Sequence, residues 1–212
     1  IIDKAMQHTP TIIDLYSCKS KILTNAGDLS SAASVADEAR RLDLADRFLN
    51  SEAAKCLFRA DRTEQAEKTM ALFTKDGEDG NSLHTMQCMW YEVEIGDSYA
   101  RQRNFGRALK KYHAISEHFD TFEDDQFDFH TYCLRKMTMR AYVSTLRLED
   151  RIRDHEFYRK GAAGAIRCYL SLHDEPRLRN PLATEEEALA NMTKDEREEY
   201  RAEQRKAEAR AK

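Results

Sequence analysis

The seven histidines and five cysteines are the residues of this chain best suited to hold a metal or to act as nucleophiles. Their spacing supports neither role. There is no H-E-x-x-H segment and no C-x-x-C pair, so no motif brings two ligands to one ion. Cys18, Cys56, Cys88, Cys133 and Cys168 lie dozens of residues apart. An odd set at that spacing reads as reduced, mostly buried thiols of a cytosolic protein, not as a disulfide framework. His113, His118, His130 and His173 fall inside or at the ends of helical stretches, where a hydrogen-bonded or half-exposed histidine is expected. Asp124, Asp125 and Asp128 form a carboxylate cluster. It is read as the acidic start of a helix, favoured by the positive end of the dipole, not as an acid/base pair. No G-x-S-x-G elbow, kinase set or Walker loop is present. The expectation is a chain without a metal and without catalysis of its own.

One segment carries the letters of a coenzyme loop. Arg103-Asn104-Phe105-Gly106-Arg107-Ala108 fits R/Q-x-x-G-x-G/A, in which backbone N–H groups cradle the pyrophosphate of acetyl-coenzyme A. That chemistry needs a strand before the loop and a helix after it. Tyr91 to Gln102 has helical periodicity instead, so the segment reads as a turn between two helices. A related stretch, Tyr158 to Ala163, lacks the leading Arg or Gln. The cations around this turn are a separate feature: Arg101, Arg103, Arg107, Lys110 and Lys111 make a dense basic cluster. Arg107 and Lys111 stand one helical turn apart, with Arg101 and Arg103 on the facing helix end and turn. Converging guanidinium and ammonium groups can hold a polyanion. Solvated surface charge is the other reading.

The elements that position these residues are helices. In 212 residues there are only 7 Gly and 3 Pro, where average usage gives roughly 15 and roughly 11. So few breakers leave little room for tight turns or a phosphate loop. With 38 acids against 34 bases the net charge is −4, which argues against direct, specific nucleic-acid binding. No uncharged stretch approaches the roughly 20 apolar residues of a membrane span, and mean hydropathy is −0.76. At 41% hydrophobic the chain can still build a continuous core. The first residues have no signal-peptide pattern, and the absence of an initiator Met points to a fragment.

Self-similarity then sets the organisation. A period of about 34 residues relates Gly27-Asp28-Leu29 with Ala32, Ala36 and Ala39 to Asp61-Arg62-Thr63 with Ala66, Met70 and Phe73. The frame runs back to Ala5 and Pro10. It also runs forward to Gly96, Tyr99, the turn at Arg103 to Phe105, Ala108, Tyr112 and Ile115. These are tetratricopeptide-repeat positions: small Gly96 and Ala108 let two antiparallel helices approach, and Tyr99 and Tyr112 fill the gap between repeats. Repeats are expected at about 13–46, 47–80, 89–122 and 126–173, with the end of a preceding repeat at 1–10. A polar loop is expected at Thr74 to Ser82, and an acidic break at Glu123 to Asp125 before a helix from Phe127 to Leu146. Another helix is expected from about Glu156 to Leu172, then a charged tail at 174–212, helical or disordered.

In such an all-α solenoid the first helix of each repeat lines the concave face. The positions concerned are Asp14, Ser17, Lys21, Thr24 and Asn25, then Phe48, Ser51, Lys55, Phe58 and Arg59, then Trp90, Val93, Asp97, Ala100 and Arg101. Lys21, Phe48, Lys55, Phe58, Arg59 and Trp90 would mix aromatics with cations, a surface suited to anchoring a partner chain. Burial of Phe58 and Trp90 between repeats is the competing reading. Ser17 with Lys21 and Ser51 with Lys55 do not supply the Lys and Asn of a carboxylate clamp. A generic peptide-binding repeat adaptor is the alternative function at this level.

Four strings narrow this further: MQCMW (Met86 to Trp90), FGRALKKYH (Phe105 to His113), DDQFDFHTYCLRKMTMRAYV (Asp124 to Val143) and LDLADRFLNS (Leu42 to Ser51). The chain resembles the auxiliary subunit of the N-terminal acetyltransferase A complex, NatA, from about Leu42 to Asp174. The resemblance implies an internal stretch of a longer tetratricopeptide solenoid. That solenoid would wrap a small GNAT-fold catalytic subunit and dock it at the ribosome for co-translational acetylation of nascent N-termini. It implies a cytoplasmic scaffold that is not itself the enzyme, further regulatory subunits as partners, and acetyl-CoA on the catalytic partner. It also implies inositol hexakisphosphate between the subunits, held by basic side chains of this stretch. Arg101 and Lys111 stand at matching positions, whereas Asn104 falls where relatives carry Lys, with Arg103 beside it.

Overall fold

The scarcity of helix breakers shows directly in the backbone. The computed structural model describes residues 1–74, 81–136 and 138–175, and every regular element among them is a helix. The α-helices are α1 (Ile2–His8), α2 (Ile13–Ala26), α3 (Leu29–Leu42), α4 (Arg47–Arg59), α5 (Thr63–Ala71), α6 (Asn81–Thr85), α7 (Met89–Arg101), α8 (Phe105–Lys136), α9 (Met139–Glu149) and α10 (Glu156–Asp174), with a 3₁₀ turn at Ile152–Asp154. The polar loop expected at 74–82 falls mostly on 75–80, outside the described residues, and its end belongs to α6. All but the first two residues of the tail at 174–212 likewise lie outside them. No described helix is long and apolar enough to cross a membrane.

Four of the reversals between the described helices share one device. Gly27, Asp61, Gln87 and Arg103 take left-handed backbone (φ 85°, 57°, 54° and 61°). In each case the next N–H reaches back to a carbonyl of the finished helix: Asp28 to Leu23, Arg62 to Leu57, Cys88 to Leu83 and Asn104 to Tyr99. This closes the last turn and satisfies orphan carbonyls. Gly27 and Asp61 are equivalent residues in the repeat frame. The following helices start on acids where they can: Asp28 accepts from the Ser31 N–H at 3.0 Å, and Asp46 from the Phe48 N–H at 2.7 Å.

Contacts divide the chain into Ile1–Cys168 and Tyr169–Lys212; of the second unit only the end of α10 and Glu175 are described. Within the first, α2 packs on α3, α3 on α4, α4 on α5 and α7, and α7 on α8. This is the nearest-neighbour stacking of a repeat array. Its main core joins Ala54, Leu57, Phe58, Ala66, Tyr91, Ile95, Tyr99, Ala108 and Tyr112. A second cluster gathers Met89, Val93, Ile115 and Phe119 under Phe157 and Tyr158.

Three expectations are corrected. The fourth helical pair does not begin at the acidic break, because α8 continues through Asp124 to Lys136. Acids are tolerated inside helices, and no Gly or Pro lies between Gly106 and Gly161 to stop it. Asp124 therefore sits inside a helix and caps nothing. The thiols are less uniformly buried than expected: Cys133 and Cys168 are buried, Cys56 and Cys88 half-buried, and Cys18 exposed on α2.

Candidate functional site

The proposed concave-face residues separate into three environments. Lys21 from α2 and Phe48, Glu52, Cys56 and Arg59 from α4 line a groove of about 350 Å³ floored by Ala36, Ala39 and Leu49. Phe48 is 61% exposed, a large apolar side chain presented to solvent. At the groove's end Arg59 forms a two-point pair with Glu94 of α7, at 2.8 and 3.3 Å. Lys55 and Trp90 belong to each other: Lys55 Nζ lies 4.9 Å from the Trp90 ring centroid and donates to Glu52 at 2.8 Å. Phe58 is not on the surface at all. It is fully buried, edge-on to Tyr91 with centroids 5.5 Å apart, and its burial contributes about 2–3 kcal/mol to the core. Val93 is likewise a core residue of the second cluster. Helix α4 is covered on one side by α5 and α7, so only part of the expected face remains open.

The basic cluster divides in a similar way. Arg101, at the end of α7, turns back onto the preceding repeat: its Nη2 donates to the Phe58 carbonyl at 2.8 Å and its Nε to Asp61 Oδ1 at 2.9 Å. Ser98 donates to the same carboxylate oxygen at 3.2 Å, and Gln102 Nε2 donates to Thr63 Oγ1 at 2.7 Å. Arg101 thus caps the open carbonyl end of α4. Arg103 occupies the turn. Arg107 and Lys111, on α8, lie 5.6 Å from the Tyr99 and Tyr91 ring centroids respectively, and Lys110 is exposed. The segment Arg103 to Ala108 is the α7–α8 reversal and has a helix before it, as its periodicity implied; Tyr158 to Ala163 lies inside α10.

Burial moves several titrations near these residues. It pushes the Tyr91 phenol well above its ordinary range, helped by Glu67, and that of Tyr112 likewise, helped by its 2.6 Å bond to Asp97. Burial also raises the Cys88 and Cys168 thiols. None of these groups is poised for proton transfer near neutrality.

One constellation was not anticipated. His84 of α6, Glu92 of α7 and His118 of α8 converge, with one ligand-type atom of each within 4.8 Å of the others. His84 Nδ1 is 2.9 Å and His118 Nε2 3.1 Å from Glu92 Oε1. Linear spacing hides it because three helices supply one residue each. The usable signal was the α7–α8 hairpin register, which places position 92 opposite 118. His118 is buried; His130 pairs with Glu149 at 3.0 Å and His173 with Asp174 at 3.2 Å.

The family model described as N-terminal acetyltransferase A, auxiliary subunit matches residues 1–212. An Arabidopsis thaliana protein named N-terminal acetyltransferase A complex auxiliary subunit NAA15 is 57% identical over 176 residues, 83% of this chain and 20% of that protein. The Homo sapiens N-alpha-acetyltransferase 16, NatA auxiliary subunit, is 46% identical over 99% of this chain and 24% of its own length. Among solved structures, one described as Naa15/Naa10 bound to HypK-THB matches with a TM-score of 0.79 at 43% identity, covering 83% of this chain and 27% of that one. The chain thus spans about a quarter of the relatives it matches.

Proposed function

This chain belongs to the N-terminal acetyltransferase A auxiliary-subunit family, and we propose that it is a stretch of the non-catalytic helical scaffold that clamps the GNAT-fold catalytic subunit. The observation that carries this is the likeness, at 43% identity and a TM-score of 0.79, to Naa15 in a structure with Naa10. The scaffold's contribution is to bias the partner toward its competent conformation. Acetyl-CoA belongs on that partner, since the loop-like segment Arg103 to Ala108 is a helix reversal here. Docking at the ribosome in the cytoplasm, and contact with further regulatory subunits, complete the reading by resemblance.

The groove of Lys21, Phe48 and Arg59 is the surface of this stretch best built for a partner: an exposed aromatic flanked by cations is the composition of an interface anchor. Inositol hexakisphosphate fits a smaller set than the sequence offered. Arg107 and the Lys110–Lys111 pair sit one turn apart on α8, whereas Arg101 already commits its Nε and Nη2 to Asp61 and Phe58. When bound, the polyanion would neutralise these cations and bridge them to basic groups of the partner.

The test uses the complete auxiliary chain and its catalytic subunit. Phe48→Asp with Lys21→Glu is expected to weaken subunit association by about tenfold or more and to lower acetylation of N-terminal peptides in parallel. Unchanged association removes the groove from the interface. Full peptide acetylation by the catalytic subunit alone overturns the scaffold role.

A further inference from the structure

The buried group His84–Glu92–His118 has no part in the scaffold reading, and its chemistry asks for a cation. Glu92 is 1% exposed and His118 5%. A carboxylate taken that far from water is costly unless a cation or several donors face it. Among the described residues, the donors that meet it are two imidazoles. His84 Nδ1 lies 2.9 Å and His118 Nε2 3.1 Å from Oε1, and His118 Nε2 is also 3.0 Å from Oε2. Both hydrogen bonds of good geometry fall on Oε1; Oε2 is buried with only the close, poorly aligned His118 Nε2 beside it. The His118 N–H is thus shared between two carboxylate oxygens, and Oε2 has no aligned donor of its own. The two rings stack face to tilted face, centroids 4.6 Å apart.

We propose that His84, Glu92 and His118 form a binding site for a divalent transition metal of the Zn²⁺ class. Two imidazole nitrogens and one carboxylate oxygen are the donor set that such borderline ions prefer, whereas Ca²⁺ and Mg²⁺ take oxygens only. Tetrahedral coordination at ordinary bond lengths separates ligand atoms by roughly 3.3 Å. The His–Glu separations of 2.9 to 3.1 Å need only a few tenths of an ångström of opening. The remaining coordination position is water. It has a route in, because the His84 side chain is 40% exposed while Glu92 and His118 lie beneath it. Three helices supply one ligand each, so the ion would staple α6 to the α7–α8 pair. The site is structural in character: its ligands come from three helices, and the neighbouring Cys88 thiol, which senses Glu92, is raised by burial.

The experiment takes the complete auxiliary chain stripped with a chelator, and titrates Zn²⁺ and Co²⁺ into wild type, Glu92→Gln and His84→Gln. The wild type is expected to take up one more equivalent than either variant, or to bind it about tenfold or more tightly. Zn²⁺ should raise the melting temperature of the wild type and not of the variants. The Co²⁺ form should show ligand-field bands with no thiolate charge-transfer band, which separates this site from the cysteines. Equal uptake by wild type and variants, or a thiolate band on the distinguishing equivalent, overturns the proposal. Glu92→Gln is close in shape and His84 lies at the surface; if the first fails to fold, by helical circular dichroism, His84→Gln decides alone.

Discussion

The ring of Tyr112 lies against the backbone of Gly164, so closely that a Cβ at Gly164 would stand 2.5 Å from Tyr112 Cε1. A Cβ at Gly96, on α7, would stand 2.8 Å from the same atom. Tyr112 is therefore the layer between α7 and α10, and its hydroxyl is fixed by a 2.6 Å bond to Asp97. Ala in place of Gly gains about 1 kcal/mol in an open helix, but overpacking a filled layer costs about 1–3 kcal/mol. At Gly164 the clash is with a ring held on both sides, so the clash should win. Gly164→Ala is expected to lower the melting temperature by several degrees, whereas Gly106→Ala, with nothing within 4 Å of the added methyl, should leave it unchanged or raise it. Thermal unfolding of the two variants reads the opposite signs.

Arg101 and Lys110 should part company when stability and anion binding are measured together. Arg101 holds the Phe58 carbonyl and Asp61, so Arg101→Ala is expected to cost about 1–2 kcal/mol of stability. Lys110 is exposed, and Lys110→Glu should be neutral within about 0.5 kcal/mol. In calorimetric titration with inositol hexakisphosphate, Lys110→Glu and Lys111→Glu should each weaken binding, and more so at low salt. An affinity lost in Arg101→Ala but kept in both lysine variants would place the anion on the Arg101 side of the turn.

What the sequence made legible is the part written in one helix or at a fixed repeat offset. Gly96 does make room for α8, through the Tyr112 ring, and Tyr99, Ala108 and Tyr112 share one core cluster, because small and large residues at period positions face each other whichever helices carry them. Gly164 carries no such signal: its partner ring lies 52 positions earlier in the chain, and no repeat offset links them. The continuation of α8 was hidden because acids read as a break only when a Gly or Pro supports it. Phe58 looked like a groove residue because helical periodicity gives a side chain's direction but not what another repeat places over it; here Tyr91 does. His84, Glu92 and His118 come from three helices, and convergence of that kind is a property of packing.

Acid should weaken the fold through its exposed carboxylates. Hydrogen bonds from Arg153, at 2.9 Å, hold Glu123 below its ordinary 4.5. Lys160 does the same for Glu156, Ser31 for Asp28, and Lys19 for Asp3. A carboxylate depressed in the folded state stabilises above its unfolded value, and that contribution is lost as pH falls through the folded one. The contribution of these pairs is therefore expected to be constant from neutrality to about pH 5 and to decline below roughly pH 4.5. Arg153→Gln should flatten part of the decline, and about 0.5 M salt should shrink it, because the pairs are solvent-exposed. Denaturant unfolding across pH 3 to 7 measures both slopes. A decline that begins near pH 6 would assign the acid sensitivity to histidine instead.

Asp61 and Gln87 share one backbone strain and should answer the same substitution with opposite signs. Both sit in left-handed backbone, φ 57° and 54°, where a side chain costs about 1 kcal/mol relative to glycine. Gly27, at the equivalent of Asp61 one repeat earlier, avoids that cost. Gln87→Gly removes the strain and is expected to raise stability by a few tenths to about 1 kcal/mol, after the extra freedom of glycine in the unfolded chain is discounted. Asp61→Gly removes the same strain but also the carboxylate that receives Arg101 at 2.9 Å and Ser98 at 3.2 Å. Ser98 is fully buried and keeps only its hydroxyl partner Thr63, 2.8 Å away, together with Gln102 at 3.1 Å. Losing those bonds costs about 1–3 kcal/mol, more than the relieved strain, so Asp61→Gly should destabilise. Asp61→Asn separates the two contributions: it keeps an acceptor for Ser98 and tolerates the left-handed turn, but gives up the charge that Arg101 faces. Chemical denaturation should rank Gln87→Gly above wild type, then Asp61→Asn, then Asp61→Gly. If Asp61→Gly matched Gln87→Gly, the Asp61 carboxylate would hold no repeat to its neighbour.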